Sequence, residues 1–188
     1  MFKIPIEQIT KGSDLRQKGK VSELALGYQG GANALVNMGA LKMGIAEAEL
    51  PKLVSAWRAA NPAIVKLWRM VEDYASEAIT SLTSINLVNA PGCPMLRFIG
   101  TKDALFVQLP SGRRLTYYKA AVKGNKISYM GMDQTTKQWK QVDTYGGKLV
   151  ENIVQAIARD CLAYALLALD KAGYDIVMHV HDEVVVEI

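Results

Sequence analysis

The sequence predicts an α+β fold, and three observations carry that expectation. Over roughly the first 90 residues, apolar positions recur at helical spacing between Gly and Pro breaks. Residues 95–145 change texture to short apolar runs separated by turn residues. Residues 148–188 read as one long helix followed by two β-rich runs around a tight polar turn.

Taken in order, Asp14-Leu15-Arg16-Gln17 fits a capping box that opens a helix from about Leu15 to Tyr28, closed by Gly30-Gly31. Gly19 and Gly27 weaken that helix by ~1 kcal/mol each relative to Ala. Further helices are expected over Ala32–Lys42, Glu47–Ala60 and Pro62–Thr80, the last with Asn61 as N-cap and Pro62 in its first turn. Ile64, Leu67, Trp68 and Val71 repeat at the helical period, which makes Trp68 a core residue. After Ala90-Pro91-Gly92, the runs Leu105–Leu109, Leu115–Val122 and Ile127–Met130 alternate with Ser111-Gly112 and Gly124-Asn125, the pattern of a small antiparallel meander. A helix from Lys148 to Lys171 ends before Gly173, and Tyr174–Val180 and Val184–Ile188 flank His181-Asp182-Glu183 as a hairpin. The expected regions are therefore 1–90, helical; 91–147, basic and β-rich; and 148–188, a long helix with a hairpin.

Composition excludes several classes. With 188 residues, 50% hydrophobic and 21% charged, the chain is neither disordered, collagenous nor coiled-coil. No uninterrupted apolar run reaches the ~18 residues of a membrane span, so no membrane partner is expected. Cys93 and Cys161 form no CxxC pair, and a reducing cytoplasm is the expected setting. The net charge of +4 is unevenly placed: residues 1–150 carry 20 Lys+Arg against 11 Asp+Glu, whereas 151–188 carry 2 against 7. A basic body beside an acidic tip suits a polyanion gripped by cations while carboxylates do metal chemistry, or simply an uneven solvated surface. Between Arg97 and Lys148 the 10 basic residues interleave with Tyr117, Tyr118, Tyr129, Trp139 and Tyr145. Such a mixture can hold nucleic acid by charge and stacking, or can be the ordinary composition of edge strands.

Two constellations could carry chemistry. Arg16, Lys20, Leu24 and Tyr28 stand four apart and form one slowly drifting stripe on the first helix. Two cations, an aliphatic contact and a hydroxylated ring in that order suit a nucleoside triphosphate lying along the helix, the alternative being a solvated amphipathic face. His181-Asp182-Glu183 places two hard carboxylates at a hairpin tip, where Mg²⁺ takes one or two carboxylates plus substrate phosphates; the alternative is a charged turn. There is no GxxxxGK[ST], and no GxSxG or SxxK nucleophile; His179-x-His181 lacks a third partner at zinc-like spacing.

Four blocks in order, RQKGKVSELALGYQGG at 16–31, LPSGRRLTYY at 109–118, YGGKLVENIVQAIARD at 145–160 and HVHDEVVVE at 179–187, resemble the phage and prophage branch of family A DNA polymerases, those similar to bacterial polymerase I. The resemblance covers nearly the whole chain. It implies template-directed nucleotidyl transfer in DNA replication, with primer–template DNA and deoxynucleoside triphosphates as partners. By that resemblance Arg16 and Lys20 contact the triphosphate, and Lys20 donates a proton to departing pyrophosphate. Tyr28 lies near the templating base, Gln155 reads the minor-groove edge near the primer terminus, and His181 touches the primer end. Asp182 binds the catalytic Mg²⁺ ions, with Glu183 the neighbouring acid. Leu24 departs from the bacterial pattern, where an aromatic stands and influences sugar selection.

The resemblance also implies two metals held by two aspartates. The first belongs to a D-x-S-x-I-E-type segment ahead of Arg16, which the preceding 15 residues do not contain; Asp73-Tyr74-Ala75-Ser76-Glu77 sits instead inside a helical pattern. The expectation is a polymerase fragment of fingers and part of the palm, inactive by itself, with exposed strand edges near Val177 and Val185 that favour self-association. A non-catalytic nucleotide- or nucleic-acid-binding remnant is the alternative, and a metal-dependent nuclease using the same tip ranks behind both.

Overall fold

The computed structural model describes residues 5–10, 12–87 and 96–187; the Ala90-Pro91-Gly92 break, Cys93 and Ile188 lie outside the described residues. The α+β expectation is met, with long helices and antiparallel sheet in one chain. The chain divides into two compact units, residues 1–73 with 145–150 and residues 74–144 with 151–188.

The first unit is helical. Helix α1 spans Asp14–Leu26. Its cap is Ser13 rather than Asp14: Ser13 is extended (φ −68°, ψ 148°) and its hydroxyl accepts the Arg16 N–H at 3.3 Å. Asp14 instead contributes negative charge to the first turn, where the helix dipole favours it. The predicted helix 32–42 is broken. Helix α2 covers only Ala32–Asn37, because Gly39 takes φ 88°, and a 3₁₀ turn at Leu41–Met43 follows. Helix α3 starts at Leu50 and runs to Ala60, after a 3₁₀ turn at Glu47–Glu49. Pro51 has no N–H to close an α-helical bond back to residue 47. Helix α4 spans Pro62–Ser81. Asn61 stands at the expected N-cap position, its carbonyl accepting the Val65 N–H at 3.2 Å, but its side-chain amide donates back to the Trp57 carbonyl at 2.9 Å and closes α3. Val21, Leu26, Leu35, Leu50, Trp57, Trp68 and Val71 are buried, as the helical periodicity of Trp68 and Val71 required.

The second unit is built on a six-stranded antiparallel meander in sequential order: β1 Ser84–Leu87, β2 Leu96–Gly100, β3 Ala104–Gln108, β4 Arg114–Lys123, β5 Lys126–Met132 and β6 Trp139–Thr144. The meander was legible, but β1, β2 and β6 extend it beyond the three predicted runs. Its inward row includes Leu96, Phe98, Leu105, Val107, Tyr117 and Ile127. Gly100 faces the second half of α4 so closely that a Cβ there would overlap the Ala78 carbonyl oxygen. A bulge after Tyr118 in β4 puts Lys119 at φ 48°, with its N–H on the Asp103 carbonyl at 2.6 Å.

Helix α5 spans Gly146–Lys171, and Gly173 behind it takes φ 85°. By length and composition alone it could cross a membrane, although Arg159-Asp160 interrupts its apolar sequence. Strands β7 Asp175–Val180 and β8 Glu183–Glu187 form a separate two-stranded sheet with a register shift between Ile176 and Met178. Val177, Met178, Val180 and Val185 are exposed on this hairpin. The Asp73–Glu77 segment lies within α4, with Asp73 and Glu77 on its exposed side.

Candidate functional site

The predicted residues fall into two sets, one in each unit. In the first unit α1 carries Arg16, Lys20 and Leu24 exposed, Leu24 at 50%, while its opposite side buries Val21, Ser22, Ala25 and Leu26. A four-residue step advances about 400°, so these three positions stay on one open row, which the half-buried Tyr28 follows beyond the helix end. Tyr28 lies just past the helix, between Gly27 and Gln29; Gln29 takes φ 70° and accepts the Gly147 N–H on its side-chain oxygen at 2.7 Å. Arg58 Nη2 donates to the Gly30 carbonyl at 3.2 Å, fixing the chain as it leaves α1.

The second set gathers along α5 and the hairpin. An open groove of about 450 Å³ is bounded by β4, by Tyr129 of β5, and by Asn152, Gln155 and Arg159 of α5. At its floor the Tyr117 hydroxyl accepts from Asn152 Nδ2 at 3.1 Å, and the two tyrosine rings meet edge to face at 5.1 Å. Burial pushes the Tyr117 phenol up to about 12, against the opposing pull of the Asn152 hydrogen bond. Gln155 is exposed and donates to the Glu151 carboxylate at 3.2 Å.

Arg113 is not free to meet a ligand. Its Nε pairs with Asp160 at 2.7 Å and its Nη2 donates to the Ala156 carbonyl at 2.8 Å, while Ser111 donates to the same carboxylate at 2.6 Å. The Ser111 hydrogen bond, then that of Arg113, holds the Asp160 carboxyl below the usual carboxylate range. The LPSGRR block thus ties the β3–β4 loop to α5, a role its sequence did not suggest. Arg159 is exposed and approaches His179 of β7 at 3.5 Å. Arg159, Asn152 and Tyr129 were not among the predicted site residues; the nearest signal was the basic–aromatic interleaving, which gives no pairing.

At the hairpin tip Val180 pairs with Glu183, leaving His181-Asp182 as a two-residue turn. His181 stands at φ 52°, where a residue other than glycine costs on the order of 1 kcal/mol. His181, Asp182 and Glu183 are all exposed. Asp182 and Glu183 supply hard oxygens suited to Mg²⁺. Among the described residues, however, no three His, Cys, Asp or Glu side chains converge where a metal could sit. The carboxylates that the described residues place at the tip are thus fewer than a two-metal centre takes.

The chain is 55% identical over its whole length to a protein described as a DNA polymerase from Bacillus phage SP02. It spans 29% of that protein's length. No family model matches the chain. No solved structure matches it either.

Proposed function

We propose that this chain is the nucleotide-contacting and primer-end portion of a DNA-directed DNA polymerase of the polymerase I-like family A, working in the cytoplasm on primer–template DNA and deoxynucleoside triphosphates. The single observation that carries this reading is the 55% identity along this chain to a segment of a phage protein described as a DNA polymerase. In this reading residues 1–90 are fingers, 91–147 a basic insert, and 148–188 palm. Arg16 and Lys20 take the phosphates on the open row of α1, which is where cations meet a polyanion with least desolvation, and Lys20 protonates the departing pyrophosphate. Leu24 and Tyr28 face sugar and base. Gln155 meets the minor-groove edge from α5, whose exposed face beside the groove leaves its amide accessible. His181 meets the primer end, and Asp182, with Glu183 beside it, is one carboxylate toward a Mg²⁺ site whose other ligands these residues do not supply.

In this reading the chain by itself binds without catalysing, and a non-catalytic nucleotide- or nucleic-acid-binding remnant is the alternative. The hairpin's exposed apolar residues suit self-association.

The test combines the 188-residue chain with a chimera in which these residues replace the matching segment of the phage SP02 protein. The chain should bind primer–template DNA with an affinity that falls steeply with salt, since phosphate neutralisation releases counterions, and should not extend primers with Mg²⁺ or Mn²⁺. The chimera should extend them, Asp182→Ala should abolish extension while sparing DNA binding, and Lys20→Ala should lower both rate and triphosphate affinity. A chain that binds no DNA at low salt, or an Asp182→Ala chimera that extends at the unsubstituted rate, overturns the reading.

A further inference from the structure

The open row of α1 is fixed by groups that lie beside it. Trp57 of α3 donates its indole N–H to the Glu23 carboxylate at 2.8 Å, and Trp68 of α4 donates to the Gly27 carbonyl at 3.1 Å. The two indoles stack with centroids 5.8 Å apart and planes 8° from parallel, and they are only 3% and 2% exposed. Glu23 and Gly27 are one turn apart, in the row next to Lys20, Leu24 and Tyr28, about 100° round the helix axis.

The buried side of α1 offers little that is directional. Val21, Ala25 and Leu26 are apolar, and the buried Ser22 hydroxyl has no hydrogen-bond partner among the described residues. Apolar contact resists separation but tolerates sliding and rotation, because dispersion depends weakly on angle. A rotation of about 30° moves a group ~5–6 Å from the axis by about 3 Å, which no hydrogen bond in the usual 2.7–3.2 Å range survives. Two bonds to positions four residues apart, both from one rigid stacked pair, therefore fix the rotation and the axial seat of α1 together.

We propose that Trp57 and Trp68 are positioning residues that index α1, so that Arg16, Lys20 and Tyr28 meet a nucleoside triphosphate in a single orientation. This rests on the reading that α1 binds the triphosphate. Glu23 is the acceptor through which Trp57 acts, and it touches no substrate itself in this arrangement. Its negative charge close to a phosphate-binding row would oppose binding on electrostatic grounds alone, so its place there is explained by the bond and not by the charge.

The test is calorimetric titration of the 188-residue chain with deoxythymidine triphosphate and Mg²⁺, comparing Lys20→Ala, Glu23→Gln, Glu23→Ala and Trp57→Phe. Glu23→Gln removes the charge but keeps an acceptor for the indole, and it should bind at least as tightly as the unsubstituted chain. Glu23→Ala should bind about three- to tenfold more weakly than Glu23→Gln, the loss expected when one hydrogen bond no longer fixes the site. Trp57→Phe keeps the stacked ring and should match Glu23→Ala. Combining Trp57→Phe with Glu23→Ala should cost no more than either alone, since both break one bond. If Trp57→Phe does not fold, the two substitutions at exposed Glu23 decide. Lys20→Ala weakening binding while Glu23→Ala binds as well as Glu23→Gln overturns the indexing role and leaves the triphosphate reading standing. Lys20→Ala binding as tightly as the unsubstituted chain overturns both.

Discussion

Replacing Tyr117 with Phe tests the floor of the α5 groove through a single proton. The Tyr117 side chain is 5% exposed, its hydroxyl accepts from Asn152, and burial raises its ionisation from 10.0 to about 12. At about 1.4 kcal/mol per unit, the folded protein favours the neutral phenol by roughly 3 kcal/mol. The sign follows from proton counting. Between pH 10 and 12 the unfolded chain loses the Tyr117 proton while the folded one keeps it, so stability from this group is complete below 10 and lost as pH rises through about 12. Tyr117→Phe removes that dependence. It also leaves the Asn152 amide without its partner, at about 1 kcal/mol near neutral pH. The unsubstituted chain should therefore be the more stable at neutral pH and the less stable at about pH 12, with the two urea-unfolding curves crossing near pH 11. The phenolate difference spectrum between the two proteins should have its midpoint near 12. A midpoint near 10, or stability profiles that run parallel between pH 10 and 12, refutes the buried, Asn152-bonded placement.

Two other outcomes follow from the same unit. The Asp160 carboxyl ionises below its ordinary 3.8 because Ser111 and then Arg113 stabilise the anion; its contribution is full above that value and lost as pH falls through the lower folded one. Asp160→Asn should flatten the acid limb of the urea-midpoint profile below about pH 4, Ser111→Ala should do so in part, and an acid limb unchanged by Asp160→Asn refutes the tie. The hairpin exposes Val177 at 62% and Val185 at 44% on strands that, among the described residues, pair only with each other. Sedimentation should show concentration-dependent association that Val177→Lys with Val185→Lys abolishes, and a strict monomer at high concentration in the unsubstituted chain contradicts it.

Where a structural decision depends on neighbours in sequence, the sequence displayed it. Val71 and Trp68 are buried because a 3.6-residue period puts them on one face, and that period is local. Turn residues at Ser111-Gly112 and Gly124-Asn125 separate strands that pair with the next one along, so the meander needed no long-range knowledge. Failures arose where two adjacent residues compete for one role. Ser13 and Asp14 are both good caps, and the extended backbone at Ser13 decides between them. Asn61, expected only to open the helix after it, also closes the one before: its carbonyl accepts from Val65 while its amide goes to the Trp57 carbonyl. Strand β1, only four residues long and directly behind a 20-residue helix, shows no alternation long enough to declare itself; its pairing with β2 supplies it.

The candidate site divides along the same line. The α1 row and the His181-Asp182-Glu183 tip are visible because each is a spacing within one element. The groups that hold the α1 row, or tie the β3–β4 loop to α5, are not. Trp57 reaches Glu23 across 34 positions, Trp68 reaches Gly27 across 41, and Arg113 reaches Asp160 across 47. Such donors are interchangeable in composition with ordinary core tryptophans and surface arginines, and only the packing of α3, α4 and α5 selects them. The α1 row and the tip can each be read from a strip of chain, being spacings within one element. Positioning groups act through backbone and side-chain acceptors elsewhere in the fold, so their spacing in sequence is set by topology. Gly27 makes the point most simply: in sequence it is a defect in a helix, and in the structure its carbonyl is the acceptor for Trp68 while a Cβ there would stand 2.9 Å from the Glu23 carbonyl oxygen, neither of which its neighbours in sequence mark.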